Sequence, residues 1–149
     1  MKIQTLSIVA GTSACDASCP YCISRMTPKQ GIGLKEKEFD WLKFDKACKL
    51  AQINNVSTVL ITGKGEPLLY PDQLTKILEK MKRFEFPLIE IQTNGLALGR
   101  EWDKYKPYLE KWRQLGLNTI ALSIVHYKQE RNKEIYSPDS TYPDLENLI

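Results

Sequence analysis

Short apolar runs alternate along the chain with longer stretches of helical periodicity. Ile3 to Ala10 is apolar and carries β-branched residues until Gly11 ends it, which predicts a first strand. Ser57 to Thr62 (STVLIT) predicts a second, Pro87 to Gln92 a third and Asn118 to Val125 (NTIALSIV) a fourth. The second and fourth are apolar at their centres, the pattern of strands covered on both faces. Between the strands, Trp41, Phe44, Ala47, Cys48 and Ala51 recur at helical spacing. Leu74, Ile77, Leu78 and Met81 do the same after Pro71-Asp72, a natural helix opening. Pro107 is expected to open a third helix that packs Leu109, Trp112 and Leu115 and stops at Gly116. Ser24 to Glu38, with Pro28, Gly31 and Gly33, reads as a mobile loop. A last helix is expected to open at Thr141 or Tyr142, with Pro143 near its first position.

The order is therefore β, loop, α, β, α, β, α, β. Such alternation implies an α/β fold with parallel strands, right-handed crossovers and helices on the outer face. A closed eight-stranded barrel typically takes about 250 residues, whereas this sequence has 149. The expectation is a partial parallel βα barrel over residues 1–149, with four strands in sequential order and the fourth at an edge. An apolar edge strand exposes unpaired backbone groups. That edge should be bare, covered by C-terminal residues, or met by the rest of a barrel or another chain.

Composition changes this picture little. Apolar residues make up 42% and charged ones 26%, ordinary values for a globular domain. The 21 Lys and Arg against 18 Asp and Glu leave +3, too small an excess to indicate nucleic-acid or membrane binding by charge. No apolar run approaches the roughly 20 residues that span a bilayer. Lys2, the run Leu6 to Ala10 and Ala14-Cys15 faintly resemble a lipoprotein signal, but Gln4, Thr5 and Ser7 interrupt it. A cytoplasmic location is expected.

Candidate chemistry begins at Cys15-Asp16-Ala17-Ser18-Cys19-Pro20-Tyr21-Cys22, which places three of four cysteines in the loop after the first strand. Clustered thiols suit a metal site in a reducing compartment better than a disulfide framework. Three thiolates on one loop can hold three corners of a cubane 4Fe-4S cluster and leave its fourth iron open, as sites that do chemistry require. A zinc site, a closed ferredoxin-type site and unliganded cysteines are the other readings, although zinc usually wants a second ligand pair. Cys48 stands apart on the face of the first predicted helix.

With Tyr21 directly before its last cysteine, this C-x3-C-x2-C run resembles the signature of the radical S-adenosylmethionine superfamily. The resemblance implies that Cys15, Cys19 and Cys22 hold a 4Fe-4S cluster and that Tyr21 lies beside the adenine of S-adenosylmethionine. Gly63-Lys64-Gly65-Glu66-Pro67, after the second strand, is similar to the family's Gly-Gly-Glu-Pro element, which holds the methionine amine. Free carbonyls and a carboxylate are suited to an ammonium group, and Lys64 stands where the commoner form has a small residue. Thr93-Asn94-Gly95 is similar to the family's Thr-Asn-Gly, though Asn94 reads equally well as a left-handed turn residue. Ser123 falls where related enzymes place polar side chains on the cofactor's carboxylate or ribose. His126, the only histidine, is a weak candidate for a catalytic group. All of these fall at or near the C-terminal ends of successive predicted strands, the edge where barrel active sites assemble.

The resemblance implies an enzyme that reductively cleaves S-adenosylmethionine at the cluster. A 5′-deoxyadenosyl radical would then take hydrogen from a substrate that the sequence does not identify. An external electron donor of the flavodoxin or ferredoxin type follows from that reaction. The alternatives are a non-enzymatic iron-sulfur or electron-transfer module and an RNA-modifying member of the same superfamily.

Overall fold

The computed structural model describes residues 3–26, 39–138 and 142–144. Four strands, β1 (Thr5–Ala10), β2 (Thr58–Gly63), β3 (Leu88–Thr93) and β4 (Thr119–Leu122), form one parallel sheet in the order β1-β2-β3-β4. The sequential order and the edge position of β4 agree with the sequence pattern. Register aligns Ile8, Ile61, Ile91 and Ile120 in one row across all four strands. Ile8, Ile61 and Ile91 are buried, and burying such a side chain stabilises by roughly 1.5–3 kcal/mol.

The residues between them point the other way. Ser7, Leu60, Glu90 and Thr119 form the neighbouring row, and each is exposed or half-buried. The sheet therefore has one covered face. The expectation that β2 and β4 are buried on both faces is corrected here: among the described residues, the apolar core gathers on the isoleucine side only.

That core is closed by helices. Asp40 caps α2 (Trp41–Ile53) by accepting from the Lys43 amide at 3.0 Å, and the helix buries Phe44, Cys48 and Ala51. Ala47, expected on the same face, is exposed. The next helix, α3 (Pro71–Met81), buries Leu74, Ile77, Leu78 and Met81. Trp112 of α5 (Trp102–Gln114) is buried and donates its indole N–H to Thr75 Oγ1 at 2.8 Å, joining α5 to α3 inside the core.

Three further expectations change. Pro107 lies inside α5 rather than at its start. The helix begins a turn earlier because Tyr105 is buried there and its hydroxyl donates to the Leu68 carbonyl at 2.6 Å. One lost amide bond near a helix start is tolerable when the first turn is anchored in this way. Three helices are too short, or in the last case too polar, to be read from periodicity: α1 (Ile23–Met26), α4 (Leu96–Arg100) and α6 (Gln129–Tyr136). Ser24 to Met26 thus belong to α1, while residues 27–38 of the expected loop lie outside the described residues. Of the expected last helix, Tyr142 to Asp144 are described and are not helical; Thr141 and the residues after 144 lie outside the described residues. No described helix is long and apolar enough to cross a membrane.

Candidate cofactor site

A parallel sheet brings every strand's C-terminal end to one edge. Here Ala10 pairs with Gly63, and Thr93 with Leu122, so the four following loops meet. The cysteine loop is fixed before its first cysteine. Gly11 sits at φ +71 against the Tyr70 ring, where a Cβ would come within 2.7 Å of a ring carbon. Its amide donates to Gln73 Oε1 at 2.6 Å, and Thr12 Oγ1 shares a hydrogen bond of 2.6 Å with the Tyr70 hydroxyl.

The Gly63–Pro67 turn is laid directly on this loop. The Gly65 amide donates to the Thr12 carbonyl and the Glu66 amide to the Ala14 carbonyl, both at 2.9 Å. A Cβ on Gly65 would lie 1.9 Å from the Ala14 carbonyl oxygen. Glycine is needed here because two protein backbones touch. Glu66 is buried and faces inward. Its Oε1 accepts from the Leu68 amide at 2.9 Å and from the Thr93 hydroxyl at 2.6 Å, and its Oε2 accepts from the Asn94 amide at 2.9 Å. Burial pushes this carboxyl up to about 7, against the pull of its three donors.

Asn94 is also buried. The left-handed residue in this turn is Gly95, at φ +75, and not Asn94. The Asn94 amide nitrogen donates to Asp16 Oδ1 at 2.8 Å and lies 3.8 Å from Cys15 Sγ, while its Oδ1 accepts from the Leu96 amide at 2.9 Å. Asp16 is in turn ion-paired with Arg100 at the end of α4. Neither Asp16 nor Arg100 is legible as a site residue from spacing, because they meet across 84 positions.

The far side of the cysteine loop is held by α6. The Ser18 amide donates to the Tyr136 carbonyl at 2.7 Å, and the Tyr136 hydroxyl donates to the carbonyl of Ser123. Asn132, buried in α6, accepts from the amides of Val125 at 3.0 Å and His126 at 2.9 Å. His126 itself accepts from the Lys128 amide through Nδ1 at 3.0 Å and stacks on Tyr127.

These loops enclose a cavity of about 620 Å³, within the usual range for a small-molecule site. Cys15, Cys19, Cys22 and Tyr21 line it from the first loop. Gly63, Lys64, Gly65, Glu66 and Pro67 line it from the second, and Asn94 and Ser123 from the third and fourth. His126 falls just outside this lining, while Ile124 and Val125 lie within it. Cys48 is buried in the helix-side core, away from the other three.

Cys15 opens onto the cavity, yet the surrounding protein pushes its thiol up to about 11; burial raises Cys19 as well. Metal binding must therefore displace protons from these thiols. Among the described residues, no three His, Cys, Asp or Glu side chains converge on the position of one ion. A cubane makes no such demand, since each thiolate ligates a different iron. Three soft donors around one cavity fit that group.

Comparison with known proteins agrees with this geometry. The profile of the Radical SAM superfamily matches residues 9–149. An uncharacterized protein of Methanocaldococcus jannaschii is 28% identical over 92% of the chain and 40% of its own length. A probable GTP 3′,8-cyclase of Methanothermobacter marburgensis is 31% identical over 88% of the chain and 38% of its own length. Molybdenum cofactor biosynthesis protein 1 of Bos taurus is 32% identical over 76% of the chain and 16% of its own length. The chain thus spans well under half the length of these relatives.

Proposed function

Because the chain belongs to the radical SAM superfamily, whose members use a 4Fe-4S cluster and S-adenosylmethionine, we propose that it binds both and cleaves S-adenosylmethionine reductively. The observation that carries this reading is the convergence of three loop thiols and the Gly63–Pro67 turn on one cavity at the C-terminal edge of the sheet. When bound, the cluster supplies an electron through an open iron, and S-adenosylmethionine supplies the deoxyadenosyl group that takes hydrogen from a substrate.

Cys15, Cys19 and Cys22 are the cluster ligands in this reading. Tyr21 lies beside the adenine at the rim, and Ser123 meets the carboxylate or ribose. The backbone carbonyls of the Gly63–Gly65 turn accept the methionine amine. Glu66 acts at one remove: with three donors already on its carboxylate, it holds the turn in place and supplies a nearby negative charge. Pro67 ends that turn. His126, whose Nδ1 accepts from the Lys128 amide and which falls outside the cavity lining, is assigned no part in this reading.

The four strands are read as the N-terminal part of a barrel. Its remaining strands, from further polypeptide or another chain, continue from β4 and bring most of the substrate contacts. The relative named as a probable GTP 3′,8-cyclase makes a purine nucleotide the first substrate class to try. An external flavodoxin- or ferredoxin-type donor and a cytoplasmic location belong to the same proposal. Anaerobic reconstitution with iron and sulfide tests it: the expected product holds about four irons per chain, and its reduced electron paramagnetic resonance (EPR) spectrum changes when S-adenosylmethionine is added. A cluster whose spectrum ignores S-adenosylmethionine favours an iron-sulfur electron-transfer module instead.

A further inference from the structure

The geometry points to Asn94 as a residue that raises the reduction potential of the cluster held by Cys15, with Asp16 and Arg100 as the groups that aim it. This inference rests on the proposal that Cys15 is a cluster ligand.

Two hydrogen bonds fix the Asn94 side chain. Its Oδ1 accepts from the Leu96 amide at 2.9 Å, and its nitrogen donates to Asp16 Oδ1 at 2.8 Å. Turning the amide over would set its oxygen against the Asp16 carboxylate and its N–H groups against the Leu96 N–H, so only one orientation is satisfied. In that orientation the same nitrogen stands 3.8 Å from Cys15 Sγ. An amide nitrogen has two hydrogens; one is engaged by Asp16, and the other serves the sulfur. Below, the Asn94 backbone amide is tied to Glu66 at 2.9 Å. Asp16, the residue after Cys15, is held by Arg100.

The consequence is electrostatic. Reduction adds negative charge to a cluster, and much of it resides on sulfur. A donor aimed at a ligand sulfur stabilises the reduced form more than the oxidised one, which raises the potential. A contact that is long for a neutral thiol strengthens as the sulfur becomes charged. Asp16 alone would oppose this effect by repulsion, and its pairing with Arg100 offsets that. The backbone of Ala17 also hydrogen-bonds Cys15, but it belongs to the loop and is common to every variant below.

Asn94→Ser is the direct test, because the serine hydroxyl still accepts from the Leu96 amide and is too short to serve Cys15. In a redox titration followed by EPR, the variant should hold full iron and titrate at a more negative midpoint than the wild type. Arg100→Gln, which leaves Asp16 uncompensated, should shift the midpoint the same way, and Arg100→Lys should restore it. An unchanged midpoint in Asn94→Ser at full iron content overturns the inference while leaving the cofactor proposal intact. Should Asn94→Ser not fold, wild-type protein labelled with ¹⁵N-asparagine decides. Pulsed EPR of its reduced cluster should show a ¹⁵N coupling, and its absence overturns the inference. A wild-type chain that assembles no cluster overturns the cofactor proposal and this one with it.

Discussion

At the floor of the cavity, Glu66, Thr93 and Asn94, with Asp16 behind them, are buried and hydrogen-bonded to one another or to neighbouring backbone. At the rim, Tyr21, Ile23, Ile124 and Val125 are open to solvent. The floor joins three strand ends into one polar network, and fully satisfied buried networks specify a single arrangement. The rim carries apolar side chains that no described segment covers. The difference separates two tasks: the floor is preorganised for a group of fixed shape, and the rim is where contacts from elsewhere are expected.

The largest effect should come from removing ligands, whichever side they sit on. Ala at Cys15, Cys19 or Cys22 should abolish the cluster, whereas Cys48→Ala should keep full iron, as read by iron assay and visible absorbance. Loss of absorbance in the Cys48 variant would contradict the ligand assignment.

Next in size is Gly65→Ala. Its methyl meets the Ala14 carbonyl oxygen at 1.9 Å, so the two loops must part and two backbone hydrogen bonds are lost. A loss of about 2–4 kcal/mol is expected in urea unfolding. The rim control, Ile23→Ala, should stay within about 0.5 kcal/mol because that side chain is 73% exposed. Equal effects at the two positions would erase the distinction between floor and rim.

Glu66→Ala leaves three donors without an acceptor. With the cluster intact, its affinity for S-adenosylmethionine should fall roughly tenfold to hundredfold, the equivalent of about 1.5–3 kcal/mol. Titration calorimetry measures this, and unchanged affinity would exclude the positioning role.

The same carboxyl also makes stability depend on pH. Burial raises Glu66 from 4.5 to about 7, so the folded state holds this proton more tightly than the unfolded chain does. The stability this group contributes is complete below pH 4.5 and is lost as pH rises through about 7, with a slope up to about 1.4 kcal/mol per pH unit. Glu66→Gln should lack this slope in the unliganded protein. A wild type whose stability relative to Glu66→Gln rises across that window would show the sign to be wrong.

The strands and the cysteine loop were legible because their signals are local. β-branched runs mark β1 to β3, and the three thiols share eight consecutive positions. The floor was only half legible. Turn motifs point to Glu66 and Asn94, but nothing in the spacing shows that Gly65 is needed because the cysteine loop lies against it. Asp16–Arg100 and Ser18–Tyr136 join distant parts of the chain, and no spacing encodes them. α6 escaped because it buries only Asn132 and Tyr136, and one of those is polar.

The central claim is that this sheet edge holds a cluster and S-adenosylmethionine together and couples them. The most direct measurement is chromatographic assay of 5′-deoxyadenosine after dithionite reduction of the reconstituted protein with S-adenosylmethionine. The account predicts 5′-deoxyadenosine from the wild type and none from Cys22→Ala. Protein with full iron content that yields no 5′-deoxyadenosine would contradict it.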